Sequence, residues 1–233
     1  MISYNMRYCA NAIDDAFLYW YDVLTINMNN EKSRDGEVVG EVINAVTVIA
    51  DPTRCIMKNK VRNMPIRYCI GELLWYLSGN NNLSEIQKYS DAWNRMSDDG
   101  KTVNSNYGYL MRYHYGFDQI EMVEEILRDN SSSRQAVIHL KPAWDIEANP
   151  TKDLPCTVCL QFFIRENKLF MTTYMRSNDI WMGFPYDVFQ FTCIQIWLSM
   201  RLGVDLGTYT HIAGSLHLYK RNVKEVKHED QVD

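Results

Sequence analysis

The spacing of apolar and polar residues divides the chain into helical and extended segments. Residues 11–24 carry apolar side chains every three to four positions, which predicts an amphipathic helix. The polar, turn-forming residues 27–36 predict a loop, and the β-branched run 38–50 predicts a strand. We therefore expect the chain to open with a helix, a loop and a strand.

A second helix is predicted to begin at Met64 and Pro65, because proline suits a first helical turn, and to end at residues 78–80. Five apolar residues are expected to form its buried stripe: Ile66, Ile70, Leu73, Leu74 and Leu77. Glu72 lies among them. A buried carboxyl group would have a raised pKa and suit proton transfer, whereas a glutamate on the wet face would not. The spacing leaves both interpretations open.

The middle of the chain predicts one more helix and three strands. Residues 118–128 have the period of an amphipathic helix, and residues 134–140 alternate as a strand. The apolar runs 160–164 and 169–174 flank a short polar turn and predict a hairpin.

Residues 188–202 form the most apolar stretch, but polar residues interrupt it and it falls short of the ~20 residues that span a bilayer. We expect a buried helix there and no membrane contact. Residues 205–211 predict a loop and residues 213–219 a closing strand. Since no repeat or linker interrupts the mixture, a single α/β (α+β) domain is expected over residues 1–233.

Composition and charge narrow the function. The 233 residues are 46% hydrophobic, enough for a sizeable core, and the net charge of -5 argues against a binder of polymeric nucleic acid. The amino terminus lacks an apolar export signal, so a cytoplasmic protein is expected, in the host cytoplasm if a phage encodes it.

Six scattered cysteines favour free thiols. A single CxxC, Cys156 to Cys159, leaves disulfide exchange or half a zinc site as the weaker alternative.

The candidate chemistry centres on Cys156 and Arg176. The thiol stands at the start of one predicted strand and the arginine at the end of the next. A nearby cation favours the thiolate and can anchor an anionic substrate. This pair predicts covalent chemistry on a phosphate-bearing molecule.

Other candidates have a structural alternative. Arg34, Arg134 and Arg176 could converge on phosphate, although each considered singly is also typical of a surface ion pair. Asp187 could recognise a base or cap the buried helix that follows. His217 could bind a ligand or be a structural strand residue.

Six motifs in a fixed order resemble the thymidylate synthase family, including its branch of phage deoxycytidylate hydroxymethylases. They are Glu-Leu-Leu-Trp-Tyr-Leu-Ser-Gly from Glu72, Trp93 before Tyr107-Gly108, Ser133-Arg134, Pro155-Cys156, Arg176-Ser-Asn-Asp179 and His217-Leu-Tyr219. The resemblance implies a large mixed β-sheet flanked by helices, a homodimer, a pyrimidine deoxynucleotide monophosphate as substrate, 5,10-methylenetetrahydrofolate as co-substrate and no metal.

The resemblance also implies a role for each matching residue. Cys156 would add to C6 of the pyrimidine, with Glu72, Tyr107 and Asp187 completing the catalytic set. The nucleotide would contact Arg34, Arg134, Arg176, Ser177, Asp179, Asp187, His217 and Tyr219, with Arg134 supplied by the neighbouring subunit. The folate would contact Trp93, Asp179, Gly183 and Tyr186.

Departures from the synthase pattern bear on the reaction. Asp187 replaces an asparagine that pairs with uracil, and a carboxylate suits the amino group of cytosine, so dCMP is expected. Synthases close a tail over the site, whereas this chain stops at Asp233, so water is expected to give a hydroxymethyl product. Thr157 in place of histidine also resembles the hydroxymethylase branch. Gln135 replaces a second phosphate arginine, which would weaken phosphate binding.

Several other functions stay open from the sequence. Within the family they are dUMP methylation by a thymidylate synthase and dCMP C5-methylation. Outside it, Cys156 and His217 could form the dyad of a cysteine hydrolase. A nucleotide- or RNA-binding regulator on the same scaffold is the alternative without catalysis.

Overall fold

A computed structural model describes residues 3–33, 36–141, 151 and 153–224. Six α-helices lie in these ranges: α1 (Ile13–Ile26), α2 (Ile66–Ser78), α3 (Leu83–Gln87), α4 (Tyr107–Arg112), α5 (Gln119–Asp129) and α6 (Phe184–Leu202). Nine strands accompany them: β1 (Ser3–Tyr4), β2 (Arg7–Ala10), β3 (Met28–Lys32), β4 (Val38–Ile49), β5 (Val137–His139), β6 (Thr157–Arg165), β7 (Lys168–Met175), β8 (Asn178–Asp179) and β9 (Asp205–Tyr219). The α/β prediction is confirmed.

All nine strands belong to one mixed sheet. Its central order is β1-β4-β9-β7-β6-β5, with β2 and β3 also pairing with β4, and β8 with β9. The β4–β9 and β6–β7 pairs are antiparallel, whereas β7 and β9 are parallel. Because β8 continues from β7 along β9, the residues after β7 and the end of β9 meet at one corner of the sheet.

Helices α1, α5 and α6 pack against this sheet. Helix α1 packs on β4, α6 on β7 and β9, and α5 on β5 and β6. The row Ala45, Ala213, Met175 and Thr157 runs across four strands beneath them and is buried. Large side chains such as Trp20, Phe191 and Tyr209 fill the core. Burial of each large apolar side chain stabilises the fold by roughly 1.5–3 kcal/mol.

Most predicted elements are present, but several predictions were wrong in detail. Residues 27–36 were expected to be a loop, yet β3 forms there beside β4. Residues 205–211 belong to β9, which runs unbroken for 15 residues. The buried helix begins at Phe184, four residues before the predicted start, with Pro185 in its first turn.

The predicted buried stripe of α2 was also wrong. Ile66, Ile70 and Leu74 are 43%, 48% and 56% exposed. The helix instead buries Cys69, Gly71, Glu72, Trp75 and Tyr76. The aromatic and carboxyl groups face α4 and α6, where hydrogen bonds are available, so the polar contacts orient this helix.

In the described part of the chain, no helix has the length and apolar character needed to cross a bilayer. The same residues contain no cluster of side chains suited to holding a metal ion. All six cysteines carry free thiols.

Candidate active site

Cys156 lies immediately before β6, and its backbone is hydrogen-bonded to the residue that follows β7. The Arg176 amide donates to the Cys156 carbonyl oxygen at 2.9 Å. The Arg176 guanidinium donates to the carbonyl oxygens of Pro155 and Leu154, each at 3.1 Å. Arg176 therefore holds the turn that presents the thiol, while its side chain stays exposed at the surface.

The charge balance at Cys156 differs from the expectation that Arg176 would favour a thiolate. Burial is the largest influence and raises the pKa of the Cys156 thiol; Arg176 opposes this and Asp187 adds to it. The net pKa is above its ordinary value. The thiol is therefore protonated at neutral pH and must lose its proton when it attacks.

Tyr107 lies beside this thiol in the core. Its hydroxyl oxygen accepts a hydrogen bond from the Thr157 amide at 3.3 Å, and burial raises the pKa of Tyr107 well above its usual value. Gly108 lets α4 approach α2 closely, because a Cβ there would lie 2.0 Å from the Tyr76 carbonyl oxygen. Since the Tyr107 oxygen accepts from the backbone, its own proton remains available for donation.

Glu72 is 4% exposed, so the wet-face interpretation is wrong. Its Oε1 accepts from the hydroxyls of Tyr68 at 2.8 Å and Tyr76 at 3.3 Å, and its Oε2 accepts from Gln190 Nε2 at 2.9 Å. Burial raises the pKa of Glu72 to about 7, although these three donors oppose it. A carboxyl group with that pKa can both take and return a proton near neutral pH.

Two partners of Glu72 were missed in the sequence. Gln190 is a buried polar residue within the apolar helix α6, the same signal that identified Glu72. Tyr68 precedes Glu72 by one helical turn, where side chains on one face meet. Both signals were readable, but only the fold shows that the two side chains converge on Glu72.

Asp187 lies in the first turn of α6 and is not its N-cap, because Gly183 occupies that position. Asp187 Oδ2 accepts from Asn178 Nδ2 at 2.7 Å. Burial raises the pKa of Asp187 to about 8, and the charge of Glu72 adds to the effect. The helix-cap interpretation is therefore wrong, and the carboxyl group is protonated at neutral pH.

Two of the predicted folate residues, Trp93 and Tyr186, contact Tyr68. Trp93 Nε1 donates to the Tyr68 hydroxyl at 3.1 Å, and the Tyr186 ring meets the Tyr68 ring edge-on at 5.0 Å. Gly183 lies next to Asn178 and Asp187, where a Cβ would be 2.9 Å and 3.1 Å from their polar atoms.

Arg62, a further cation in this region, was missed because it lies in an irregular segment without periodicity. Its guanidinium lies 5.1 Å from the Tyr186 ring centre, and its Nε donates to the Trp181 carbonyl oxygen at 2.5 Å. It is 7% exposed and lowers the pKa of Asp179, although burial raises that pKa overall.

Asp179 is fixed by the turn that leads into α6, since its Oδ1 accepts from the amides of Trp181 and Met182. It is paired in register with His217, whose ring lies 5.3 Å from that of Tyr219. Ser177 lies between Arg176 and β8 and is half-buried. These residues form the corner of the sheet next to the thiol.

One predicted phosphate ligand, Arg134, is not brought to the thiol. Arg134 is exposed, and its carbonyl oxygen accepts from Gln161, five residues beyond Cys156 on β6, which is about 16 Å along a strand. Arg34 lies outside the described residues, as do the last residues, 225–233.

The described residues thus form a site with a thiol, two buried carboxyl groups, a phenol and neighbouring aromatic side chains. Comparison with known proteins identifies the family. The sequence model described as "Thymidylate synthase" matches residues 20–232. This chain belongs to the thymidylate synthase family. Every candidate residue of the site lies within the matched range.

Two curated relatives of this thymidylate synthase family chain are phage proteins. A deoxyuridylate hydroxymethyltransferase of Bacillus phage SP01 is 32% identical over 196 residues, 79% of this chain and 51% of the relative. A deoxyuridylate hydroxymethyltransferase of Pseudomonas phage M6 is 29% identical over 199 residues, 83% of this chain and 56% of the relative. The chain spans about half the length of these relatives.

Proposed function

We propose that the chain transfers a one-carbon group to C5 of a pyrimidine nucleotide, as a folate-dependent dCMP 5-hydroxymethyltransferase. Two lines of support are membership of a family that uses methylenetetrahydrofolate and the hydroxymethyltransferase names of both phage relatives. The observation that carries the choice of cytosine is Asp187, a buried carboxyl group whose pKa is raised to about 8, so that it is protonated at neutral pH.

Cys156 would begin the reaction by adding to C6 of the base. Addition breaks the conjugation of the ring and makes C5 nucleophilic, so that C5 can bond to the one-carbon unit that the folate supplies. Loss of the C5 proton and departure of the folate leave a methylene carbon. Addition of water there and cleavage of the C6–sulfur bond complete a hydroxymethyl product and restore the thiol.

The proton transfers would fall to Glu72 and Tyr107. The pKa of Glu72, raised to about 7, makes the carboxylate a usable base and the acid a usable donor within one turnover. The buried hydrogen bonds from Tyr68 and Gln190 hold both carboxyl oxygens in place. The Tyr107 oxygen accepts from the Thr157 amide, so its hydroxyl hydrogen could be donated to a water or to the base.

Asp187 would pair with the edge of the base. Cytosine offers an amino donor at position 4 and an acceptor at N3, and N3 must gain a proton when the C6 adduct forms. A carboxylic acid can accept from the amino group and deliver that proton, whereas an asparagine amide cannot give a proton up. Uracil already carries hydrogen on N3. This difference favours dCMP, although the relatives are described as acting on deoxyuridylate.

A homodimer would bring Arg134 of one subunit to the phosphate bound by the other. The row Val46, Ile212, Tyr174 and Cys159 crosses four strands on the sheet face opposite the buried row, and it is only partly buried in the single chain. A second copy packed on this apolar face would cover it. Arg134 is held at the same face by Gln161, whose side chain lies in the next row. It would then reach the partner's nucleotide alongside that partner's Arg176 and Arg34.

The cysteine hydrolase alternative finds no support in the geometry. Among the described residues no histidine hydrogen-bonds to the Cys156 thiol, and His217 faces Asp179. A binding protein without catalysis would not need two buried carboxyl groups of raised pKa, Glu72 and Asp187, in its site.

Release of tritium from C5-labelled dCMP, dependent on methylenetetrahydrofolate, tests the proposal. The variant Cys156→Ser should lose release by at least about 1000-fold and still bind the nucleotide. Tritium release that survives this substitution would exclude the thiol mechanism.

A further inference from the structure

Asp187 is one end of a chain of buried hydrogen bonds that leads from the site into the core. Asn178 Nδ2 donates to Asp187 Oδ2 at 2.7 Å. Asn178 Oδ1 lies 3.1 Å from His211 Nε2, and His211 Nδ1 lies 2.8 Å from the Tyr209 hydroxyl. Asn178, His211 and Tyr209 are 3%, 1% and 0% exposed, so water cannot substitute for these partners.

The chemistry of the partners sets the direction of each hydrogen bond. Burial lowers the pKa of His211 to about 3, so its ring is neutral and carries one N–H. Asn178 Oδ1 can only accept, so that hydrogen is on Nε2, and Nδ1 accepts from the Tyr209 hydroxyl. This tautomer of His211 matches the Asn178 amide as it lies, with its nitrogen towards Asp187 and its oxygen towards His211.

This orientation makes the two oxygens of Asp187 unequal. Oδ2 accepts from Asn178, so a proton on the carboxyl group resides on Oδ1. Gly183 keeps the pair close, because a Cβ there would lie 2.9 Å from Asn178 Nδ2 and 3.1 Å from Asp187 Oδ2. Phe184 packs edge-on against the His211 ring at 5.2 Å and holds the ring in place.

We propose that the chain of hydrogen bonds through Tyr209, His211 and Asn178 fixes which oxygen of Asp187 carries a proton, and so makes His211 and Asn178 positioning residues for the choice of base. The inference rests on the proposed function, in which Asp187 contacts the base. Cytosine needs an acceptor opposite position 4 and a donor opposite N3, whereas uracil needs the reverse. With these hydrogen bonds intact, Asp187 offers one of the two arrangements. With the hydrogen bonds to His211 lost, the Asn178 amide can rotate and both arrangements become available.

The test compares His211→Phe with His211→Gln. Phenylalanine keeps a ring but removes both hydrogen bonds, whereas glutamine can donate to Asn178 and accept from Tyr209. For each protein, kcat/KM is measured with dCMP and with dUMP in the presence of methylenetetrahydrofolate. We expect the Phe variant to bring the ratio of the two values closer to one by about tenfold, and the Gln variant to restore it. A ratio within about twofold of wild type in a folded Phe variant would overturn the proposal, as would equal ratios in the two variants.

A measurement on the unaltered protein covers the case in which the Phe variant does not fold. Nitrogen NMR of histidine-labelled protein should show His211 neutral between pH 6 and 8, with hydrogen on Nε2. A charged ring, or hydrogen on Nδ1, would overturn the proposal. A wild-type preference for dUMP would contradict the proposed substrate dCMP but not the positioning role of His211. Loss of the His211 hydrogen bonds would still weaken whichever base preference the wild type has.

Discussion

Gln190 Nε2 lies 2.9 Å from Glu72 Oε2 and 3.0 Å from the Cys69 carbonyl oxygen. Because the carbonyl can only accept, the Gln190 amide must present its nitrogen to Glu72. Gln190 and Asp187 lie one turn apart on α6. One helix therefore orients the proposed proton-transfer group and carries the proposed base-recognition group.

Replacement of this glutamine should shift the pH dependence of turnover. The Gln190→Leu substitution removes a donor that stabilises the Glu72 carboxylate, so the pKa of Glu72 rises further. We expect the acid limb of the kcat/KM profile to move up by about one pH unit. Gln195→Leu is the matched control, since Gln195 is equally buried on α6 but donates to Leu169 instead. Identical profiles for wild type and Gln190→Leu would contradict this role.

Stability should fall as pH rises through the neutral range. Burial raises the pKa of Glu72 to about 7 and that of Asp187 to about 8, while both groups titrate at about 4 in the unfolded chain. Between these values the folded state binds more protons than the unfolded state, so the free energy of unfolding decreases with pH. Urea denaturation from pH 5 to pH 8.5 measures this slope.

The variants Glu72→Gln and Asp187→Asn should flatten that slope, because each removes one of the titrating groups. At pH 8 each should be more stable than wild type by about 1–3 kcal/mol. Parallel pH curves for wild type and both variants would show that neither carboxyl group carries a raised pKa.

Asp187→Asn should move base preference towards dUMP. The amide can donate to O4 and accept from N3–H of uracil, but it cannot protonate N3 of cytosine. We expect the dCMP to dUMP ratio of kcat/KM to fall by at least about tenfold. Asp14→Asn, a buried carboxyl group that accepts from the Lys58 and Asn59 amides away from the site, controls for general damage. An unchanged ratio in Asp187→Asn would remove Asp187 from base recognition.

Mixing two inactive variants should restore activity if Arg134 acts across subunits. Cys156→Ser and Arg134→Ala subunits that assort randomly would form one intact site in each mixed dimer, so activity should recover to about a quarter of wild type. Cys156→Ser mixed with Glu72→Gln is the control, because every site then keeps one defect. No recovery in the first mixture, with mixed dimers present, would contradict a shared site.

The sequence predicted the elements whose periodicity reflects apolar burial alone. Helix α1, strand β4 and the β6–β7 hairpin were confirmed, and the hairpin turn at Glu166 and Asn167 has the two positive φ angles that a two-residue connection favours. The buried face of α2 was not predicted, because hydrogen bonds to Glu72 and aromatic contacts outweigh the apolar stripe.

The site residues were recognisable as residue types, but their protonation was not. Burial raises the pKa of Cys156, Glu72 and Asp187. Hydrogen bonds from residues elsewhere in the sequence, Gln190 to Glu72 and Asn178 to Asp187, oppose it. For the same reason the buried hydrogen bonds of His211 left no local signal in β9.

The most direct test is the mass of the product formed from each nucleotide. The chain is incubated with methylenetetrahydrofolate and either dCMP or dUMP, and the nucleotides are examined by mass spectrometry. We expect dCMP to gain one CH2O unit and dUMP to react poorly. Thymidylate formed from dUMP with release of dihydrofolate, or no gain of carbon on either nucleotide, would contradict it.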